Sequence, residues 1–293
     1  MDGLSPEEYL KKIPNLDETS LNLSRSIHDG VLEGGTPLRK FVDLLHGTWL
    51  GHPLHPVLTD ATIGAWACGT LLDMMSNMNR LRSVEKAADT LITLGVASAV
   101  PTALAGIADY TTVPKKAIAT TAVHGLLNTA ALIFYSISLL NRKTGNRSLG
   151  KVFSGVGLGT ILLSAWLGGE IVYKYNIGAN KTPHPKGPED WTPVYDETQL
   201  AESQPVRIDV EGYPVMLYRY AGTVFATSAV CGHEGGPLEE GRFDGYCVEC
   251  PWHQSVYDVR NGGVVHGPTT YALPSYATRI SGGQIEIRLR EAR

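Results

Sequence analysis

Two short stretches decide how this sequence is read: Cys231-Gly232-His233-Glu234-Gly235-Gly236-Pro237-Leu238, and Cys250-Pro251-Trp252-His253-Gln254-Ser255-Val256-Tyr257-Asp258. Each contributes one thiol and one imidazole, and sixteen residues separate His233 from Cys250. Two such pairs suit a tetrahedral zinc ion. They equally suit an iron–sulfur cluster in which two cysteines hold one iron and two histidines the other. In that case neutral imidazole replaces thiolate, removes negative charge and lifts the potential to roughly −150 to +300 mV.

The sequence around the ligands favours the cluster, because both stretches resemble the two cluster-binding loops of the Rieske family. Gly267-Pro268 followed by Pro274 resembles the proline loop that covers the cluster in that family. The resemblance implies Cys231, His233, Cys250 and His253 as ligands of a 2Fe-2S cluster. It also implies that Ser255 and Tyr257 stand where hydroxyls hydrogen-bond cluster sulfurs, which raises the potential. High-potential members staple the loops with two more cysteines. Those positions are Gly236 and Trp252 here. A chain that keeps the hydroxyls and lacks the staple is expected to have an intermediate potential. Cys247 forms C-x-x-C with Cys250 but reads as a strand residue beside the site.

Working outward, the residues from Pro193 on alternate as strands do: Val206, Ile208 and Val210, then Val215 and Leu217, and finally Ile285, Ile287 and Leu289. Before them the chain is apolar in long runs. Four stretches, 54–75, 88–108, 117–140 and 152–173, have about the twenty-residue length that crosses a bilayer. The first, with Asp60 and Asp73, is the weakest. Small residues such as Gly95, Ala99, Gly155 and Gly157 suit close helix packing, and Pro101 is expected to kink the second run. The expected architecture is multidomain: an all-α four-helix transmembrane bundle followed by an all-β antiparallel Rieske domain. Its parts are 1–50, holding an interfacial amphipathic helix over 36–50; 51–175, the bundle; 176–192, a linker rich in Pro, Gly and Lys; and 193–293, the cluster domain.

Ionisable residues inside a membrane are costly and so point to function. Four spans would bring His52, His55, Asp60, Asp109, His124, Asn128 and Glu170 to one level. The segment containing His52-Pro53-Leu54-His55-Pro56 resembles an uncharacterised bacterial four-helix membrane family over about residues 30–175, which carries little biochemistry to transfer. From the residues alone, His52 or His55 with His124 would suit a haem b between helices. A non-haem metal would use the same histidines with Asp60 or Glu170. A quinone pocket would use a histidine and a carboxylate to move protons, and a buried hydrogen-bond network would have no cofactor. His184 reads as a solvated linker residue.

The resulting expectation is a membrane-bound electron-transfer protein, an oxidoreductase component rather than a stand-alone enzyme. It would exchange electrons with a soluble redox protein or reductase and with haem or quinone in the bundle. His233 and His253 would be the transfer point, since the resemblance implies an exposed histidine-bound iron. The alternatives are a ferredoxin-like component of an oxygenase system and a redox sensor. A self-contained oxygenase fits poorly, because only about forty residues follow His253. A formal charge of −4 gives no nucleic-acid footprint. Basic residues are balanced between the two sides: the loops opposite the cluster domain hold Arg80, Arg82, Lys86, Arg142, Lys143, Arg147 and Lys151, and the other side holds Arg39, Lys40, Lys115, Lys116, Lys174, Lys181 and Lys186. Neither a cleavable signal, a twin-arginine pair nor a loop disulfide is visible. The site expected is therefore a bacterial inner membrane, with the cluster domain in the cytoplasm.

Overall fold

The structure is a computed structural model that describes residues 10, 12–79, 82–182 and 186–290. Arg80 and His184 lie outside the described residues. The chain forms two compact units. One comprises the chain up to Gly34 with Leu54–Ile177, and the other comprises Gly35–Pro53 with Gly178–Arg293. The division differs from the expected one in that residues 35–53 group with the C-terminal unit.

The first unit is helical: α1 (Leu16–Glu33), α3 (Leu54–Asn79), α4 (Arg82–Tyr110), α5 (Lys115–Lys143) and α6 (Arg147–Gly169), which runs into a π-turn at Glu170–Lys174. Among the described residues, three helices are long and apolar enough to cross a membrane, Arg82–Tyr110, Lys115–Lys143 and Arg147–Lys174. Helix α3, which holds Asp60 and Asp73, is not among them. The four-span expectation therefore stands at three helices by length and composition.

The packing inside this unit follows from size. Trp66 stacks on Tyr135 with ring centroids 4.4 Å apart, and both are buried with Ile92, Ala131 and Ile161. A side chain at Gly157 would come within 2.9 Å of the Tyr135 ring, so the close approach of α5 and α6 requires glycine. Leu94, Leu104, Leu126, Ile133, Leu162 and Leu163 face outward. An apolar exterior around a core of small and aromatic residues suits a lipid solvent rather than water.

At one end of the helices Arg142 and Arg147 fold inward. Arg142 pairs with Asp73 and, at 2.7 Å, with Asp89, while Arg147 reaches Asp73 at 3.1 Å and Asp89 at 2.9 Å. The side chains of Arg142 and Asp73 are 3% and 2% exposed, so the network that ties α3, α4, α5 and α6 has a desolvated pair at its centre, with Asp89 and Arg147 closer to solvent. Losing one partner would leave an uncompensated buried charge. The sequence reading placed these arginines among the loop charges, because the partners that draw them in are distant in the chain.

The second unit is β-rich. A six-stranded sheet runs β1-β10-β9-β4-β3-β2 and a four-stranded sheet runs β5-β6-β7-β8, every ladder antiparallel. The strands are β1 Thr192–Asp196, β2 Val206–Val210, β3 Tyr213–Tyr220, β4 Thr223–Ser228, β5 Arg242–Asp244, β6 Cys247–Glu249, β7 Val256–Asp258, β8 Val264–His266, β9 Ser275–Ser281 and β10 Gln284–Leu289. Strand alternation buries Val215, Leu217, Ile285 and Ile287 in one core. Met216, Tyr218, Leu238, Val248 and Tyr257 form a second core beneath the two cysteine loops.

The described residues of the expected linker from Gly178 on belong to this unit and are packed on it. Lys181 N–H donates to Gly232 O at 2.9 Å, Tyr276 O–H to Lys186 O at 2.7 Å, and Leu289 N–H to Pro188 O at 2.8 Å. Helix α2 (Gly35–His46) and a short 3-10 turn at Thr48–Leu50 belong to the same unit.

Candidate cluster-binding site

Each cysteine loop is a tight turn closed by its own backbone. In the first, between β4 and β5, Cys231 N–H donates to Gly236 O at 2.9 Å and Gly235 N–H to Cys231 O at 3.0 Å. Gly235 has φ +84°, a left-handed conformation that glycine adopts without strain. In the second, between β6 and β7, Cys250 N–H donates to Ser255 O at 2.8 Å and Gln254 N–H to Cys250 O at 3.1 Å. The four-stranded sheet holds both ends of this second loop, which sets where Cys250 and His253 stand.

The fold brings the four sequence-predicted residues into two pairs. Cys231 and Cys250 are 1% and 2% exposed and lie in one buried cluster, where each influences the titration of the other. The rings of His233 and His253 stand 5.0 Å apart, centroid to centroid, at 90°. Both imidazoles are half-buried rather than exposed. Gly236 passes so close that a side chain there would meet Cys250 Sγ at 2.7 Å and the Trp252 ring at 3.2 Å. The two positions at which high-potential relatives carry their stapling cysteines are thus adjacent here, and an indole against glycine occupies the place.

Electrostatics prepare these groups for metal. The Cys231 thiol is drawn down to about 6, first by its hydrogen bond with Cys250, then against the opposing cost of burial by Tyr257 and the backbone N–H groups of His233 and Glu234. The Cys250 thiol moves up, because its hydrogen bond with Cys231 and its burial disfavour a second negative charge. Burial first, then the charges of His253, His46 and Lys181, holds His233 well below the ordinary imidazole range. One ready thiolate, a second sulfur beside it and a neutral imidazole are the forms that metals bind. The donor set fits a cluster with mixed sulfur and nitrogen ligation.

The two hydroxyls are buried at the site. Tyr257 is inaccessible to solvent; its oxygen accepts from Gly232 N–H at 3.1 Å and lies 3.2 Å from Cys231 Sγ. The accepting role is filled by the amide, so the phenolic proton is available to the sulfur. Ser255, also inaccessible, accepts from Thr269 N–H at 3.2 Å, which ties the second cysteine loop to the proline loop. Cys247 stands apart in β6, opposite Asp258, with its thiol raised by burial. All four cysteines are free.

Sequence reasoning missed α2 as part of this site. Asp43 accepts from His266 Nδ1 at 2.6 Å and from Gly267 N–H at 2.8 Å. Arg39 donates to Gln254 O at 2.5 Å and pairs with Glu249 at 3.5 Å. A side chain at Gly267 would meet His46 at 3.1 Å and Thr48 at 3.2 Å, so the proline loop lies directly against this segment. The available signal was the spacing of Arg39, Asp43 and His46, which marks one polar stripe on a helix.

The membrane-level residues are brought together only in part. His55 Nδ1–H donates to Thr102 O at 2.9 Å and His124 Nδ1–H to Ser164 O at 2.8 Å, with the two rings 6.5 Å apart at 84°. Asn128 Nδ2 meets His124 Nε2 at 3.0 Å, and Ser164 Oγ donates to Asn128 Oδ1 at 2.8 Å. His52 is exposed in the other unit, its Nδ1 2.9 Å from Pro53 O, and Asp60 is exposed. The described residues contain no group of three His, Cys, Asp or Glu arranged to hold a metal.

Loops of this kind, carrying thiols and imidazoles in facing pairs on a small antiparallel domain, define a Rieske protein. The chain belongs to that family: residues 190–277 match the Rieske [2Fe-2S] domain, and residues 51–181 match the Predicted membrane protein (DUF2231) family. It is similar to the anthranilate 1,2-dioxygenase ferredoxin subunit of Burkholderia cepacia, 31% identical over 34% of this chain and 93% of the relative. It is also similar to the ferredoxin component of the p-cumate 2,3-dioxygenase system of Pseudomonas putida, 36% identical over 29% of this chain and 75% of the relative. Among solved structures, the ferredoxin of carbazole 1,9a-dioxygenase from Nocardioides aromaticivorans is 29% identical, covering 34% of this chain and 98% of that one, with a TM-score of 0.33.

Proposed function

We propose that the protein is a membrane-attached one-electron carrier, with Cys231 and Cys250 holding one iron of a 2Fe-2S cluster and His233 and His253 the other. Two buried thiols, with the half-buried imidazoles of the same two loops facing each other, carry this reading. A bound cluster supplies one-electron redox chemistry at a potential that its ligands and hydrogen bonds set. The residues do the rest. Tyr257 places its hydroxyl at Cys231 Sγ, Ser255 anchors the proline loop through Thr269 N–H, and burial keeps solvent from Cys231 and Cys250. The proline loop is held shut through Thr269 and Asp43.

The partner proposed is a soluble redox protein or flavoprotein reductase, on the strength of the similarity to ferredoxin components of dioxygenase systems. The helical unit is placed in a bacterial inner membrane, with the β unit in the cytoplasm; the free cysteines suit a reducing compartment. Labelling of Thr144→Cys in intact cells tests the orientation, with no reaction expected from outside. Mixing the oxidised holoprotein separately with a reduced flavoprotein reductase and with a quinol analogue tests the partner. Fast reduction by the reductase supports a ferredoxin-like role, and fast reduction by the quinol alone replaces it with a quinone-linked one.

A second reading adds haem b in the helical unit, favoured by the approach of His55 and His124 with each Nδ1 anchored on a carbonyl, as metal-ligating imidazoles are. Asn128 at His124 Nε2 opposes it, because both nitrogens of that ring already have partners. The satisfied network is the better account. A Soret band in the purified protein would restore haem.

A further inference from the structure

Helix α2 is built the wrong way round for a helix that merely packs on a soluble domain. Such a helix turns its apolar stripe inward. Here the inward stripe is polar: Arg39 and Asp43 grip the second cysteine loop and the proline loop, and His46 is buried. The opposite side carries Leu38, Phe41 and Leu44, which are 38%, 48% and 50% exposed, and Trp49 and Leu50 follow at 64% and 43%. Five large exposed apolar residues in thirteen, on α2 and the 3-10 turn that follows it, exceed the scattered exposure normal for a soluble surface.

We infer that this outer face lies in the lipid interface, so that α2 moors the cluster loops to the bilayer surface. The occupant follows from the chain itself. Leu50 is four residues from Leu54, where the first helix of the membrane domain begins, and four residues of extended chain reach at most about 14 Å. The apolar face therefore cannot leave the neighbourhood of the bilayer that holds that domain. Trp49 is a residue of the interface, and exposed Lys40 on the border of the face suits anionic headgroups. One helix thus has two bindings, cluster loops on its charged side and lipid on its apolar side. The inference rests on the membrane attachment proposed above and is independent of the metal bound.

The test uses the full chain, with Cys68→Ser and Cys247→Ser, reconstituted in phosphatidylcholine–phosphatidylglycerol vesicles. Nitroxide labels are placed singly at Phe41→Cys, Leu44→Cys, Ile133→Cys and Gln204→Cys. Collisions with oxygen, which concentrates in lipid, are compared with those of a water-soluble nickel chelate. Ile133 on α5 reports the bilayer and Gln204 in the β unit reports water. The expected result is that oxygen dominates at Phe41 and Leu44 as at Ile133, with the reverse at Gln204. A water-like ratio at Phe41 and Leu44 alongside a lipid-like Ile133 overturns the mooring, as does low access to both reagents, which means a protein partner or a second copy covers the face. A water-like Ile133 overturns the membrane attachment itself.

Discussion

Replacing Tyr257 by phenylalanine removes one oxygen that does two jobs. That oxygen accepts from Gly232 N–H and faces Cys231 Sγ at 3.2 Å with its own proton. Orphaning a buried amide costs about 1–3 kcal/mol, so Tyr257→Phe should lower the melting temperature. The second effect falls on the electron. A neutral hydrogen bond contributes about 1 kcal/mol and a charge-assisted one about twice that, so a donor to this sulfur favours the reduced state by about 1 kcal/mol. At about 59 mV per 1.4 kcal/mol for a one-electron couple, the midpoint should fall by about 40 mV. Redox titration followed by paramagnetic resonance reads the midpoint, and calorimetry reads the stability. Tyr276→Phe is the control, since that buried tyrosine belongs to the other core of the β unit and its hydroxyl donates to Lys186 O, and its midpoint should not move. A lower melting temperature with an unmoved midpoint in Tyr257→Phe would refute the donor role.

Further substitutions test the remaining links. Ser255→Ala leaves Thr269 N–H without its acceptor and should destabilise the β unit by about 1–3 kcal/mol, read by thermal melting. Asp43→Ala should speed amide exchange at 264–270 and within α2 together, because one carboxylate holds His266 and Gly267. Unchanged exchange in the proline loop would count against the clasp. Arg142→Met leaves Asp73 buried without that partner and should cost about 3–5 kcal/mol, seen as loss of folded protein from membranes. In the iron-free protein, alkylation of Cys231 should rise with pH through about 6, because the thiolate is the nucleophile, while Cys250 lags. Equal rates for both would contradict the paired-thiol geometry.

The cysteine loops were legible because their chemistry is local. Cys231 with His233 and Cys250 with His253 are each close in sequence, and the tight turns that hold them follow from nearby glycine and proline. Strand alternation likewise exposed the β unit, and the long apolar runs exposed the helices. What stayed hidden depends on contacts distant in the chain. Residues 36–50 read as an interfacial segment, since amphipathicity shows that a helix has two faces and does not say what each face binds. Asp43 meets Gly267 across 224 residues, and nothing near either position announces the other. Arg142 and Arg147 looked like loop charges for the same reason. His55 and His124 do approach one another, yet the carbonyls of Thr102 and Ser164 that satisfy them come from other helices and leave no sequence signature.

Iron, acid-labile sulfide and zinc counted on the purified full chain, alongside the paramagnetic spectrum of the reduced protein, test the central claim most directly. The account predicts iron and sulfide in equal amounts, about two of each per chain, with a mixed sulfur–nitrogen cluster signal that is lost in Cys231→Ala. One zinc per chain, no sulfide and no signal on reduction would contradict it.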